Sequence, residues 1–218
     1  MRICNSLYVV RRLCTLALVA VLTLGNSALA DDIDALMARL SNLNSLSTNF
    51  RQLTLDASET NIQTISGTLQ LVRPAQLYWY SDVPYEQSIY VNEGTLWIFD
   101  MDLAQAIRQP VEEQWEQSPA LVLTGTREQI TERYAVEQIV NRPPFATFTL
   151  TPRGENNAIE SLDLAFEGNT PTSIRLRDGF NQTTLVNFDN LTLNPELDPE
   201  IFVFNPPAGV DVIDQMGQ

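Results

Sequence analysis

The chain has 218 residues, with 27 carboxylates against 13 basic residues, no histidine and a formal net charge of −14. All 13 basic residues are arginine, and both cysteines, Cys4 and Cys14, fall in the first thirty positions. This composition excludes Ser-His-Asp and Cys-His catalysis, Schiff-base and phosphate-loop lysines, and His or Cys zinc sites, and its charge repels nucleic acid and anionic lipid head groups.

Residues 1–30 read as a secretory signal peptide. Arg2, Arg11 and Arg12 precede an apolar run from Leu13 to Leu24, and Ala28-Leu29-Ala30 is a small-residue cleavage site. Arg11-Arg12 is too little to assign twin-arginine export, so the general secretory route is expected. The mature chain then starts at Asp31 as a single domain, 31–218, in the periplasm. Removing three of the 13 arginines and none of the 27 carboxylates moves the net charge from −14 to −17. Loss of both cysteines leaves no thiol for a disulfide, a metal or a lipid anchor. No later apolar stretch is long enough to span a membrane as a helix.

From Asp32 to Leu43, Ile33, Leu36, Met37, Leu40 and Leu43 recur at intervals of three and four behind Asp31, Asp32 and Asp34, which predicts one amphipathic helix. The texture then changes to short β-branched and aromatic runs divided by Gly, Pro and Asn, the pattern of antiparallel strands. Strands are predicted over 47–55, 63–72, 76–81, 87–91, 95–99, 105–109, 133–140, 147–151, 159–167, 172–177 and 182–193. Asn92-Glu93-Gly94, Pro152-Arg153-Gly154, Gly168-Asn169 and Asp178-Gly179 are turn signals, mostly of hairpins. Ser118-Pro119 and Asp198-Pro199 each predict a short capped helix.

Alternation puts Leu69, Leu71 and Arg73 on one strand face, so an apolar face ends in an arginine, and Leu77 and Trp79 share a face of the next strand. Seven aromatics fall between Tyr78 and Phe99, more than one buried face needs. A thick core with scattered surface rings and an apolar cavity for a greasy ligand both remain open readings. One substantial helix must help cover so large a sheet, and helices acting as a lid would enclose a lipid-sized pocket. The only acid/base candidates are carboxylate neighbours, Asp100 with Asp102 and Glu112 with Glu113, which in so acidic a chain read as solvated surface. No enzyme activity, cofactor or metal is expected.

Leu71-Val72-Arg73-Pro74-Ala75-Gln76-Leu77-Tyr78-Trp79 resembles the Arg-Pro, hydrophobe, Trp stretch of the LolA lipoprotein carriers. In order along the chain, Asn92 to Asp100, Asp102 to Ala106, Ser118 to Leu121, Phe148 to Arg153, Asp178 to Thr183 and Phe202 to Asp211 resemble further segments of that family. The resemblance runs through essentially the whole mature chain.

It implies a mainly β fold: an incomplete, half antiparallel barrel covered by a lid of the N-terminal helix and short helices. It also implies a monomeric periplasmic chaperone. Such a chaperone takes acylated lipoproteins from an inner-membrane ABC-type releasing complex and passes them to the outer-membrane acceptor LolB. Arg73 matches the family arginine that bonds the lid and controls opening; a solvated strand-end arginine is the plainer alternative. Leu77 stands where the family often has a phenylalanine at the rim that engages the releasing complex. Trp79 and Trp97 match cavity or core aromatics, and Leu69, Leu71, Phe148 and Leu150 complete the expected apolar lining. The alternative function is a periplasmic sensor or binder of lipids or mislocalised lipoproteins without a transport role, for which 188 mature residues leave little room for a second domain.

Overall fold

A computed structural model describes residues 27–114, 119–154 and 158–217. Among them, helix α1 (Ser27–Leu40) is followed by strands β1 (Ser45–Leu55), β2 (Asn61–Val72), β3 (Gln76–Ser81), β4 (Gln87–Asn92), β5 (Thr95–Asp100) and β6 (Gln105–Pro110). Two 3-10 helices, Val111–Gln114 and Pro119–Leu123, and helix α2 (Arg127–Arg133) come next. Strands β7 (Tyr134–Arg142), β8 (Phe145–Pro152), β9 (Ile159–Glu167), β10 (Thr170–Asp178) and β11 (Thr183–Leu193) then lead to a 3-10 helix, Pro199–Phe202, and β12 (Asp211–Asp214).

The strands form one open sheet in the order β12-β6-β5-β4-β3-β2-β1-β11-β10-β9-β8-β7, whose edges β12 and β7 do not pair. Every neighbouring pair is antiparallel except β12 with β6. Turn chemistry fixes the hairpins. Asn92 pairs with Thr95 across a two-residue turn in which Glu93 (φ 49°) and Gly94 (φ 76°) are both left-handed, the turn that matches strand twist. The Asp178 carboxylate accepts the backbone N–H of Phe180 and of Gln182, each at 2.8 Å, and closes β10–β11.

Register aligns one apolar face. Leu69, Trp79, Ile89 and Ile98 make one row across β2 to β5, and Leu71, Leu77, Val91 and Leu96 make the next. In the other half, Phe148, Leu164, Ile174 and Val186 are aligned, as are Val136, Leu150, Leu162 and Leu176. Ile33, Leu36 and Leu40 of α1, Ala120 to Leu123, and Ile130 of α2 are buried in the same core. Asp34 and Arg127 pair between α1 and α2, and Arg39 donates to the Gly168 carbonyl in the β9–β10 turn.

Several details differ from expectation. The first helix runs from Ser27 to Leu40 rather than from Asp32 to Leu43. Its end is a turn in which Ser41 N–H donates to Met37 O and Leu43 N–H to Leu40 O, although Leu43 is still buried. The expected leader lies outside the described residues up to position 26, as does the expected cap Ser118. Helix α2 was not anticipated, because Ile130 is its only buried residue; its signature is the capping box of Thr126 and Gln129. Strand β12 was missed as well. All four of its residues are exposed, so it carries no alternation to read.

Candidate functional site

Arg73 stands just beyond β2, in the turn to β3, where its own N–H is taken by Asn44 O at 2.8 Å. Its guanidinium reaches the other side of the buried layer and donates through Nη1 to Leu123 O at 2.6 Å and through Nη2 to Gly125 O at 2.8 Å. These carbonyls are available because the 3-10 helix Pro119–Leu123 ends there. Its closing bonds, Thr124 N–H to Leu121 O and Gly125 N–H to Val122 O, use earlier carbonyls. The planar fork of arginine meets two acceptors at once, which a lysine cannot do. Partial burial pushes the guanidinium below its ordinary pKa.

Next to Arg73 lies the apolar face. Leu69, Leu71, Leu77, Phe148 and Leu150 are fully buried and Trp79 is 9 % exposed, all within one cluster. Of the residues expected to line an apolar site, these six are brought onto one face, closed by the side chains of α1 and of the Pro119–Leu123 helix. Trp97 is not among them. It points from the opposite face, where Phe204 packs against Tyr90, Trp97 and Phe99 with ring centroids 4.9, 5.3 and 5.3 Å away, and Arg108 sits 5.7 Å from the Trp97 ring. The dense aromatics of 78–99 thus serve two surfaces: Trp79 faces the helices, and Tyr90, Trp97 and Phe99 face the C-terminal segment.

Two residues that sequence reasoning passed over shape the apolar face. The Phe50 ring stacks on Trp79 at 3.9 Å between centroids. It lies opposite Gly67, where an added Cβ would collide with the Tyr80 carbonyl and come within 2.8 Å of the Phe50 ring. A glycine inside a strand pattern was the available signal of such a close approach.

The face offers shape and apolar surface, with no titratable group among its six expected lining residues. Asp102 and Glu112 are exposed, and Asp100 accepts Leu103 N–H at 2.9 Å to cap a turn. Among the described residues, no group of three His, Cys, Asp or Glu side chains is placed to hold a metal ion, and no helix is long and apolar enough to cross a membrane.

The fold is shared with distant solved structures. An uncharacterized conserved protein from Thermus thermophilus aligns with TM-score 0.53 and 8 % identity, covering 84 % of this chain and 98 % of that one. A DUF1329 family protein from Desulfovibrio piger aligns with TM-score 0.51 and 9 % identity, covering 81 % and 97 %. Sequence relatives are nearer. The outer-membrane lipoprotein carrier protein of Alcanivorax borkumensis is 36 % identical over 203 residues, covering 93 % of this chain and 97 % of that one. That of Pseudomonas aeruginosa is 34 % identical over 208 residues, covering 94 % and 100 %. Residues 41–205 match the sequence profile of the outer membrane lipoprotein carrier protein LolA, and the chain belongs to that family.

Proposed function

We propose that this chain is a periplasmic chaperone that holds the acyl chains of lipoproteins against its apolar sheet face and carries them to the outer membrane. The observation that carries the reading is the Arg73 fork on Leu123 O and Gly125 O, which ties a helix to the rim of a continuous apolar surface. Family membership supplies the cargo class, since the relatives are named as lipoprotein carriers.

The physical need is plain. Each methylene of an acyl chain costs about 0.8 kcal/mol to expose to water, so a triacylated protein does not cross an aqueous compartment unaided. A carrier without an energy source has to give its load up as well as take it. Self-contacts that re-form on closing, the Arg73 bonds and the burial of Leu36, Leu40 and Leu121 against the sheet, favour release. In this account the sheet is a half-barrel and α1, α2 and the Pro119–Leu123 helix are its lid. A bulge between Ser47 and Asn49, where Thr48 Oγ1 donates to Asp189 O at 2.9 Å, supports that curvature. Opening breaks the Arg73 bonds, loading sets acyl chains on Leu69, Leu71, Leu77, Trp79, Phe148 and Leu150, and unloading restores the closed form.

The donor is an inner-membrane ABC-type releasing complex, and the acceptor is LolB. The exported form is the single domain 31–218 after removal of residues 1–30, and it acts as a monomer with no catalytic group. Complementation tests this. In a Gram-negative cell depleted of its own carrier, expression of this chain returns lipoproteins to the outer-membrane fraction; their continued retention in the inner membrane, with the chain folded and exported, contradicts the proposal.

A further inference from the structure

The apolar face is not sealed equally along its length. Toward the Arg73 end, Leu69, Leu71 and Leu77 are fully buried. Toward the other end, the same face continues from the row of Leu69, Trp79, Ile89 and Ile98 to Gly67 and Ile65 of β2, Ser81 of β3, Gln87 of β4 and Asp100 of β5, which the strand register places on one side. Ile65, Ile89 and Ile98 pack against the core but are only partly buried. Gln63, Ile65, Ser81, Tyr85, Gln87 and Asp100 line an open cavity of about 290 Å³ there. The turns flanking it carry Val83, 73 % exposed, and Leu103, 70 % exposed. Phe50 is paired with Gly67 and Trp79 with Leu69, so the register sets their ring contact between the rows that line this cavity and the sealed row of Leu71 and Leu77.

We infer that the acyl chains pass in and out across this end of β2 to β5, with the Phe50–Trp79 pair as an inner gate. The inference rests on the carrier reading and adds a route to it. The cavity is continuous with the buried face along the same strands, so a chain moving inward slides over Ile65 and meets the ring pair where Ile89 and Ile98 stand beside Trp79 in its row. Turning one ring aside exposes Leu69 and Leu71 without breaking a backbone ladder. Exposed apolar side chains on the flanking turns let a partly withdrawn chain leave water-free contact gradually. A saturated acyl chain fits this path because its cross-section is uniform and it needs no hydrogen-bond partner, whereas the polar and acidic side chains Gln63, Gln87 and Asp100 meet the end of the cargo that stays in water. The passage lies at the opposite end of β2 and β3 from Arg73, so latch and passage are separate devices.

Residues 31–218 contain no cysteine, which allows one to be placed in the folded protein and blocked afterwards. Asp102→Cys sits at the exposed border of the cavity, and Asn181→Cys sits in the exposed β10–β11 turn. Each variant, exported from the full-length chain and purified, is reacted with a bulky polyethylene glycol maleimide and tested for uptake of a triacylated lipoprotein. Both unreacted variants load, the blocked Asn181→Cys protein loads, and the blocked Asp102→Cys protein does not. Equal loading of both blocked proteins, or equal loss, overturns the route while the carrier reading stands. Failure of the unreacted proteins and of wild type to load defeats the carrier reading itself.

Discussion

The guanidinium of Arg73 lies 2.6 Å from the carbonyl oxygen of Leu123, fifty residues further along the chain, and the same side chain takes Gly125 O at 2.8 Å. No backbone ladder joins these segments, so the arginine is a direct polar link between the sheet and the Pro119–Leu123 helix. In the proposed cycle its energetic weight falls on the closed form alone.

Arg73→Leu leaves both carbonyls without their charged donor and should lower stability by about 2 kcal/mol, measured by urea unfolding. Because only the closed form loses, the loaded form gains in relative terms: the variant takes up lipoprotein but gives it to an acceptor more slowly. Arg73→Lys restores the charge without the fork and falls between the two. Wild-type loading and unloading by Arg73→Leu would remove the latch from the account.

Gly67→Ala adds one carbon where the Tyr80 carbonyl and the Phe50 ring already meet the glycine. A strand carbonyl cannot move aside without disturbing its ladder, so a cost of about 2–3 kcal/mol is expected. Chemical denaturation of the purified variant checks this. Unchanged stability would mean that the close approach of Phe50 to β2 is not needed.

Trp79 and Trp97 should report differently on cargo. With Trp97→Phe and Trp115→Phe, emission comes from Trp79, and loading an acylated lipoprotein shifts it. With Trp79→Phe and Trp115→Phe, emission comes from Trp97, on the other face against Phe204, and stays where it was. A shift confined to Trp97 would put the cargo on the wrong side of the sheet.

The Tyr80 hydroxyl donates to Glu86 at 2.6 Å, and that bond, with lesser contributions from desolvation and the nearby carboxylates, pushes its pKa up to about 12. The ordinary value is about 10, so the folded state holds this proton more tightly than the unfolded state does. The resulting stability is fully present below about pH 10 and is lost as the pH rises through about 12. The stability difference between wild type and Tyr80→Phe is therefore flat at lower pH and shrinks across that window, as urea midpoints would show. A difference independent of pH would contradict the bond.

Much of the sheet was legible because period-two alternation in β1 to β11 is enforced by burial on one face, and Asn92-Glu93-Gly94 and Asp178-Gly179 carry turn chemistry in their own side chains. What failed to announce itself depends on tertiary context. Strand β12 is held by pairing with β6, with an ion pair between Asp214 and Arg108, and buries nothing. Trp97 alternates correctly within β5, yet which face of that strand meets the helices is decided by strand register. Phe50 and Gly67 matter only as a pair, across two strands. Arg73 was singled out by its place at the end of an apolar face, whereas its acceptors, two carbonyls fifty residues away, have no side-chain signature at all.

The most direct test of acyl-chain carriage is co-purification from a periplasm that also makes a tagged, triacylated lipoprotein. The account predicts a soluble one-to-one complex that vanishes when the lipoprotein's acylated cysteine is replaced and that an acceptor can empty. Absence of the complex with the acylated partner, or its persistence with the unacylated one, would contradict the carrier assignment.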